Sequence, residues 1–381
     1  MKILYHHRIA SKDGQYVHLE EIVNAMKGRG HEVLLVGPSI VEKDYFGSDG
    51  GFISLMKKYI PKFLYEFMEF SYNFYDFLKL AFAVRKFKPD FIYERYNLYF
   101  ISGLWVKKIF KLPHILEVNS PLYSERNKYN GISLNFLAKW TECYAWTQSD
   151  YLLPVTGVLE NIIRETILDR ENIKVIHNGI NKEQFKPNAN EIEALQHTLK
   201  NKTVLGFTGF VREWHGIEQV VDFIAEHKKN NLHLLLVGDG PASNKIQAQA
   251  KKLGVAQKLT ITGIVERDDI ANYISLFDIA LQPAVVEYAS PLKLFEYLYM
   301  GCLIVAPDSL NIKEILEDNK NAVLFENNNM MSFKQSLDRA ININNACEIR
   351  DNAKKTIDEK KLTWVDNVKQ IEQLFNNLKE I

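Results

Sequence analysis

The chain has 381 residues, more than a single hydrophobic core usually supports, so two domains are expected. Hydrophobic residues make up 46% and charged residues 25%, which excludes a disordered chain. Lys plus Arg equal Asp plus Glu at 47 each, which argues against a dedicated nucleic-acid binder. The balance is uneven, however: residues 51–140 hold 14 basic and 7 acidic side chains, +7 against −7 for the remainder, so one face is expected to prefer anionic partners. Cys143, Cys302 and Cys347 lack metal-ligand or redox-pair spacing and read as buried thiols in a reducing compartment. Met1 runs directly into KILY with no leader pattern, and no run of 18 apolar residues occurs, so a cytoplasmic protein without a spanning helix is expected.

Short apolar runs alternate with helical periodicity, the pattern of parallel sheets built from β-α-β units, and the pattern occurs twice. Strands are expected in the first half near Lys2–Tyr5, His31–Val36, Asp90–Tyr93, His114–Val118, Tyr151–Val155 and Lys174–His177. After Pro61, the positions Phe63, Phe67, Phe70, Phe74, Phe77, Ala81 and Val84 follow at three- or four-residue steps, a long amphipathic helix over 62–88. Such a stripe normally packs inward over the sheet. The alternative is attachment to a membrane surface, or a groove for a lipid-linked acceptor, helped by Lys57, Lys58, Lys62, Lys79, Arg85, Lys86 and Lys88.

The polar, Asn-rich NKEQFKPNANEIEALQ reads as a linker, placing a first domain at 1–186 and a second at 187–362. Second-half strands are expected near Val204–Thr208, Leu232–Val237, Leu259–Thr262, Ile279–Gln282, Leu303–Ala306 and Ala322–Phe325. The remainder, 363–381, has Trp364, Val368, Ile371 and Phe375 at helical spacing, an amphipathic helix with one face to bury, for which packing back on the first domain is one reading.

The strongest chemical signal is SPLKLFEYLYMG, residues 290–301. Ser290 reads as an N-cap and Pro291 as the first helical residue. A helix starting there aims free N–H groups and its positive dipole end at the crevice beyond the strand ends, where a diphosphate is stabilised. Lys293 adds a charge to that anion site, and Glu296, less than two turns along, is placed to accept bonds from a ribose diol. No DxD pair is present to hold a divalent ion, so no metal and no obligatory cofactor are expected.

KVIHNGINKEQF, LLLVGDGP and LTITGIVERDDIANYISLFDIALQP accompany SPLKLFEY in fixed order, and together they resemble the family 4 glycosyltransferases of the GT-B fold. In the first half, DGQYVHLEEIVNAMKGRGHEV, PDFIYERYNLYF and LEVNSPL resemble one bacterial branch of that family. The resemblance implies two Rossmann-like α/β domains facing across a cleft. It also implies retaining transfer of a sugar from a nucleoside-diphosphate donor, UDP by family habit. The basic, aromatic first domain itself points to a glycan or lipid-linked glycan of a surface polysaccharide as the acceptor and to peripheral contact with an anionic membrane, and the balanced net charge points to no nucleic-acid partner.

Carried over by position, the resemblance gathers Gly14, Gly209, His215, Gly238, Gly263, Ile264, Ser290, Pro291, Leu292, Lys293 and Glu296 around the donor. Arg212, Lys293, Glu287 and Glu296 are the catalytic candidates. His18, Glu94, Arg95, Glu117 and Asn119 are the acceptor candidates, with a structural histidine and an interlocking ion pair as the competing readings. The chain departs from the family at three places: Phe210 stands for an arginine, His215 for a lysine, and Tyr288 for the first glutamate of the E-x7-E motif, leaving Glu287 one residue early. Asn119 stands near where relatives place a histidine and cannot act as a general base. Two other readings stay open: a related nucleotide-sugar epimerase or phosphorylase, and a non-catalytic binding subunit.

Overall fold

Runs such as KILYH, FIYER, HILEV and LHLLLV, apolar on both faces, cannot sit at a water-facing sheet, and each becomes a strand of a parallel sheet covered on both sides. The structure, a computed structural model, describes residues 1–10, 14–38, 60–129, 131–168, 170–188 and 192–379. Lys57 and Lys58 therefore lie outside the described residues. The chain divides into two compact units. The first comprises residues 1–177, 288–290 and 364–381, and the second 178–287 and 291–363, so the second unit begins nine residues before the expected Pro187. Among the described residues no helix is long and apolar enough to cross a membrane.

The first unit contains β1 (Lys2–His6), α1 (Gly14–Gly28), β2 (Glu32–Val36), α2 (Lys62–Phe87), β3 (Phe91–Arg95), α3 (Ser102–Phe110), β4 (His114–Val118), α4 (Leu122–Tyr129), α5 (Asn135–Gln148), β5 (Tyr151–Pro154) and α6 (Gly157–Thr166). Its five-stranded sheet has the order β2-β1-β3-β4-β5, every pair parallel. The C-terminal helix, Trp364–Lys379, belongs to this unit and buries Trp364, Val368, Ile371 and Phe375, the last stacked on Phe91 at 4.6 Å.

The second unit contains α7 (Glu193–Leu199), β6 (Thr203–Thr208), α8 (Glu218–Glu226), β7 (Leu232–Val237), α9 (Ser243–Lys252), β8 (Leu259–Ile261), α10 (Ile270–Ile274), β9 (Ile279–Leu281), α11 (Leu292–Met300), β10 (Leu303–Pro307), α12 (Leu310–Lys313), β11 (Val323–Phe325), α13 (Met330–Asn342) and α14 (Ala346–Glu359). Its six-stranded sheet has the order β11-β10-β9-β6-β7-β8, again all parallel. Alternate residues feed two cores: Leu205, Phe207, Leu234, Leu236 and Leu281 on one face, Val204, Leu235, Val237 and Ala280 on the other.

Three expectations are corrected. Lys174–His177 is not a strand: the segment makes only an isolated bridge, Leu152 to Ile173. Lys174 and Ile176 donate to the carbonyls of Leu152 and Pro154, but Pro154 has no N–H to return, so the ladder stops. Of the cysteines only Cys302 is buried, and Cys347 is exposed. The third correction concerns α2, whose aromatic stripe does not pack inward throughout: Phe63, Phe67 and Phe74 are exposed, while Ala81 and Val84 are buried.

The buried side of α2 is polar over most of its length. Asn73 donates to the carbonyls of Phe70 and Tyr99 (both 2.7 Å) and accepts from the amides of Ile101 (2.7 Å) and Ser102 (2.9 Å). Glu66 accepts from the amides of Ser133 and Leu134, capping α5 from outside. Asp76 accepts from the Ser102 hydroxyl (2.7 Å) and pairs with His6 (2.8 Å). Burial alone would lower the His6 pKa, but Glu94 and Asp76 outweigh it and push it up to about 9, so the imidazole is charged at neutral pH. Asn73→Ala strands several buried backbone groups at once. It is expected to destabilise the first unit by about 3–5 kcal/mol in equilibrium urea unfolding, and a loss below about 1 kcal/mol would show that the loop finds other partners.

Candidate active site

In the second unit the connections leave β6 and β9 in opposite directions along the sheet, so a crevice opens beyond the C-terminal ends of these adjacent strands. Four strand-end segments meet that edge: Gly209–Arg212 after β6, Gly238 after β7, Gly263–Ile264 after β8, and the start of α11 after β9. Two glycines let the loops approach each other. Gly238 has φ +132°, and a Cβ there would lie 2.3 Å from the Gly209 carbonyl oxygen; one at Gly240 would lie 2.3 Å from that of Val211.

The helix α11 starts one residue later than expected. Pro291 is the N-cap, with φ −73° and ψ 122°, and Leu292 is the first helical residue, so Ser290 lies outside the helix. The helix is tied to β6 through Tyr297, whose hydroxyl accepts from the Thr208 amide at 2.8 Å. This sets Lys293 with its ammonium 3.6 Å from the centroid of the Phe207 ring, and 3.5 Å from where a Gly209 Cβ would sit. Burial pushes the Lys293 pKa down to about 7, opposed by Glu296. The helix therefore presents an amine that gives up its proton far more readily than an exposed lysine, beside its free N–H groups.

Glu296 is buried, and its Oε1 accepts from the Arg267 guanidinium, which also lies 4.9 Å from the Phe185 ring. Arg267 was not singled out by the sequence, because a partner 29 residues away leaves no local periodicity. Arg212 is exposed, its guanidinium 5.1 Å from the Phe210 ring. His215 is buried, and its Nδ1 accepts from the Arg212 amide at 3.1 Å, which leaves the proton on Nε2. Burial, Lys293 and Arg212 push its pKa down to about 3, so the ring is neutral in the free protein. Ile264 is exposed, and Gly263 has φ +75°.

Glu287 is exposed in the second unit. Tyr288, next in sequence, is grouped with the first unit: its carbonyl accepts from the Thr156 hydroxyl at 2.9 Å, and its ring packs against the β4–β5 core.

In the first unit, three of the other four acceptor candidates converge on Glu117. His18 Nε2 (2.9 Å) and the Tyr93 hydroxyl (2.8 Å) meet one oxygen, and Arg95 (2.7 Å) and Asn119 (2.5 Å) donate to the other. Burial would raise the Glu117 pKa, but His18 and Arg95 hold it far below the usual carboxylate range. Asn119 is the half-buried member of the group. Glu94 is in a separate knot with His114 (2.8 Å) and His6 (3.4 Å); burial works against its charge, yet the two imidazoles lower its pKa to about 2. Gly14 opens α1, is exposed, and would meet nothing within 4 Å as alanine.

The glycines separate two roles. Gly238→Ala is expected to lower the stability of the second unit by about 3 kcal/mol in thermal unfolding, through positive-φ strain and collision with Gly209. Gly14→Ala should change the first unit by less than about 0.5 kcal/mol. An unchanged melting curve for Gly238→Ala would show that the two loops part readily.

Residues 12–184 match the family described as Glycosyltransferase Family 4, and residues 187–358 match Glycosyl transferases group 1. An uncharacterized glycosyltransferase of Methanocaldococcus jannaschii, MJ1069, is 22% identical over 315 residues, 82% of this chain and 79% of that protein. Among solved structures, Anabaena Alr3699/HepE in complex with UDP superposes with a TM-score of 0.75 at 17% identity, covering 100% of both chains. Sucrose-phosphate synthase from Thermosynechococcus elongatus also gives 0.75, at 15% identity with 100% of both chains covered. With a glycosyltransferase family matched over each half and two Rossmann-like parallel sheets in the structure, the chain is a GT-B glycosyltransferase of the family 4 and group 1 kind.

Proposed function

We propose that the protein is a retaining hexosyl- or N-acetylhexosaminyltransferase that uses a UDP-sugar and a glycan or lipid-linked glycan acceptor. Its proposed setting is cell-surface polysaccharide synthesis in a bacterial cytoplasm, at the inner face of the membrane. The observation that carries the reading is Lys293, its ammonium held over Phe207 at the N-terminus of α11 beside Gly209. An amine kept poorly solvated near a helix N-terminus is favourable only toward an anion, and a sugar diphosphate supplies one. The choice of UDP rests on the Anabaena protein, which was solved with UDP and with UDP-glucose.

The difficult step is departure of the diphosphate from an oxocarbenium-like carbon, so cations and N–H groups fixed on the phosphates stabilise the transition state more than the ground state. In this reading Lys293, Arg212 and the α11 amides hold the diphosphate, and Glu296, kept in place by Arg267, accepts from the ribose diol. The loops carrying Gly209, Gly238, Gly263 and Ile264 line the base and sugar. His215, neutral with its Nε2–H available, donates a hydrogen bond instead of a charge. Glu287 binds donor-sugar hydroxyls. On the acceptor side Asn119 is the contact, and Glu117, saturated by His18, Tyr93 and Arg95, fixes its orientation. The leaving phosphate takes the acceptor's proton in a front-side transfer.

Calorimetry against UDP, GDP and ADP sugars is expected to show binding of a uridine nucleotide that needs no magnesium. Glu296→Ala should lower that affinity by roughly 30-fold, about 2 kcal/mol for the lost charged acceptor. Affinity for a nucleotide sugar should fall as pH rises through about 7, because the free protein then loses the Lys293 proton that the bound diphosphate retains. Lys293→Met should weaken binding and flatten that profile. Binding without hydrolysis or transfer to any acceptor would instead favour a non-catalytic subunit.

A further inference from the structure

The 26-residue helix α2 is turned inside out, and the side it shows to solvent is apolar. Phe63, Leu64, Phe67 and Met68 are exposed in its first turns; Phe74, Leu78 and Phe82 follow at 62%, 66% and 69% exposure. Around a 3.6-residue helix these positions share one side and run for about 30 Å. The helix cannot roll to hide them, because Glu66, Asn73 and Asp76 on the opposite side are fully buried and bound to the 99–102 and 133–134 backbone and to His6. The patch continues onto α5 through Trp140, whose ring lies 6.4 Å from that of Phe70, and Phe136, at 85% exposure.

A contiguous apolar surface of this size on one side of a domain marks a binding face. Its charge pattern chooses the occupant. The exposed ionisable side chains of α2 are Lys62, Arg85 and Lys86, with Lys88 at the cap, and none is acidic. Glu66 and Asp76 point inward, and Glu69 is paired with Arg126. Lys139 is exposed on α5 between Phe136 and Trp140. A second copy of this chain, laid parallel or antiparallel on the face, would set basic ends against basic ends. An anionic lipid surface meets both features, taking the phenyl rings at the acyl boundary and the basic ends at the headgroups.

We infer that the outward side of α2, extended by Phe136, Lys139 and Trp140 of α5, lies flat on a bilayer containing anionic lipid. This deepens the peripheral-membrane part of the proposed function by naming the surface, and it does not depend on the donor site.

The test is flotation of the full chain with vesicles of phosphatidylcholine alone or mixed with phosphatidylglycerol, alongside uridine nucleotide binding. The wild type is expected to float with the mixed vesicles, less so at high salt, and not with phosphatidylcholine alone. Arg85→Gln with Lys86→Gln should lower partitioning about 30-fold, since each basic residue near such a surface contributes about fivefold. Phe74→Ser with Leu78→Ser and Phe82→Ser should lower it more than tenfold. These exposed positions are expected to leave the melting temperature and nucleotide binding unchanged, which separates lost docking from lost folding. No flotation at low salt, or flotation that both variants retain, would overturn the inference. So would wild-type self-association that the serine variant abolishes without any uptake by vesicles. Flotation without nucleotide binding would keep this inference and remove the donor reading.

Discussion

A buried backbone N–H must find an acceptor, and in the first unit that requirement decides which way the longest helix faces. The turns at 99–102 and 133–134 leave amides at Ile101, Ser102, Ser133 and Leu134 pointing into protein. Asn73 and Glu66 meet them, and Asp76 adds the Ser102 hydroxyl and a charged His6. Leaving such groups unmet costs more, group for group, than leaving a phenyl ring partly in water. The polar side of α2 therefore goes in and the apolar side comes out. The same knot fixes the C-terminal ends of β1 and β3, since His6 also meets Glu94.

The second unit solves a different problem at its sheet edge. A parallel sheet whose connections diverge between β6 and β9 leaves a gap in its cover, and a gap lined by backbone needs close loop packing. Gly238 and Gly240 allow it by omitting side chains that would strike the Gly209 and Val211 carbonyls. Into this frame α11 projects Lys293, and Tyr297 anchors the helix to Thr208 so that the lysine meets Phe207. The position of the Lys293 side chain is thereby set by the fold itself.

What was legible in the sequence follows from how local each cause is. The strands read well because burial on both faces makes them continuous apolar runs; Lys174–His177 failed because its partner strand ends in Pro154, a fact that lies in another segment. SPLKLFEY announced a helix start, with an error of one residue at Pro291. Lys293 and Glu296 are candidates on that local pattern, whereas the pairing of Arg267 with Glu296 is a contact formed only on folding and leaves no such pattern. His215 entered as a donor candidate by position alone; the bond from the Arg212 amide to its Nδ1 and the two cations beside it arise only on folding.

The facing of α2 shows the limit of periodicity most clearly. Glu66, Asn73 and Asp76 recur at seven- and three-residue steps, as regular as the aromatic stripe beside them, so the pattern defines two sides without saying which is buried. Hydrophobicity alone selects the aromatic side for the core, and it does so wrongly because the competing term is the count of unpaired loop amides, a property of distant residues. The basic surplus of residues 51–140 belongs to the same account. Of its acidic members on α2, Glu66 and Asp76 are drawn inward as hydrogen-bond acceptors and Glu69 is paired with Arg126, which leaves Lys62, Arg85 and Lys86 to set the sign of the outer surface. A sequence with 14 basic and 7 acidic side chains in that region therefore folds into a surface more one-signed than its composition. The requirement that turns the phenyl rings outward also removes the negative charge that would repel an anionic sheet of headgroups.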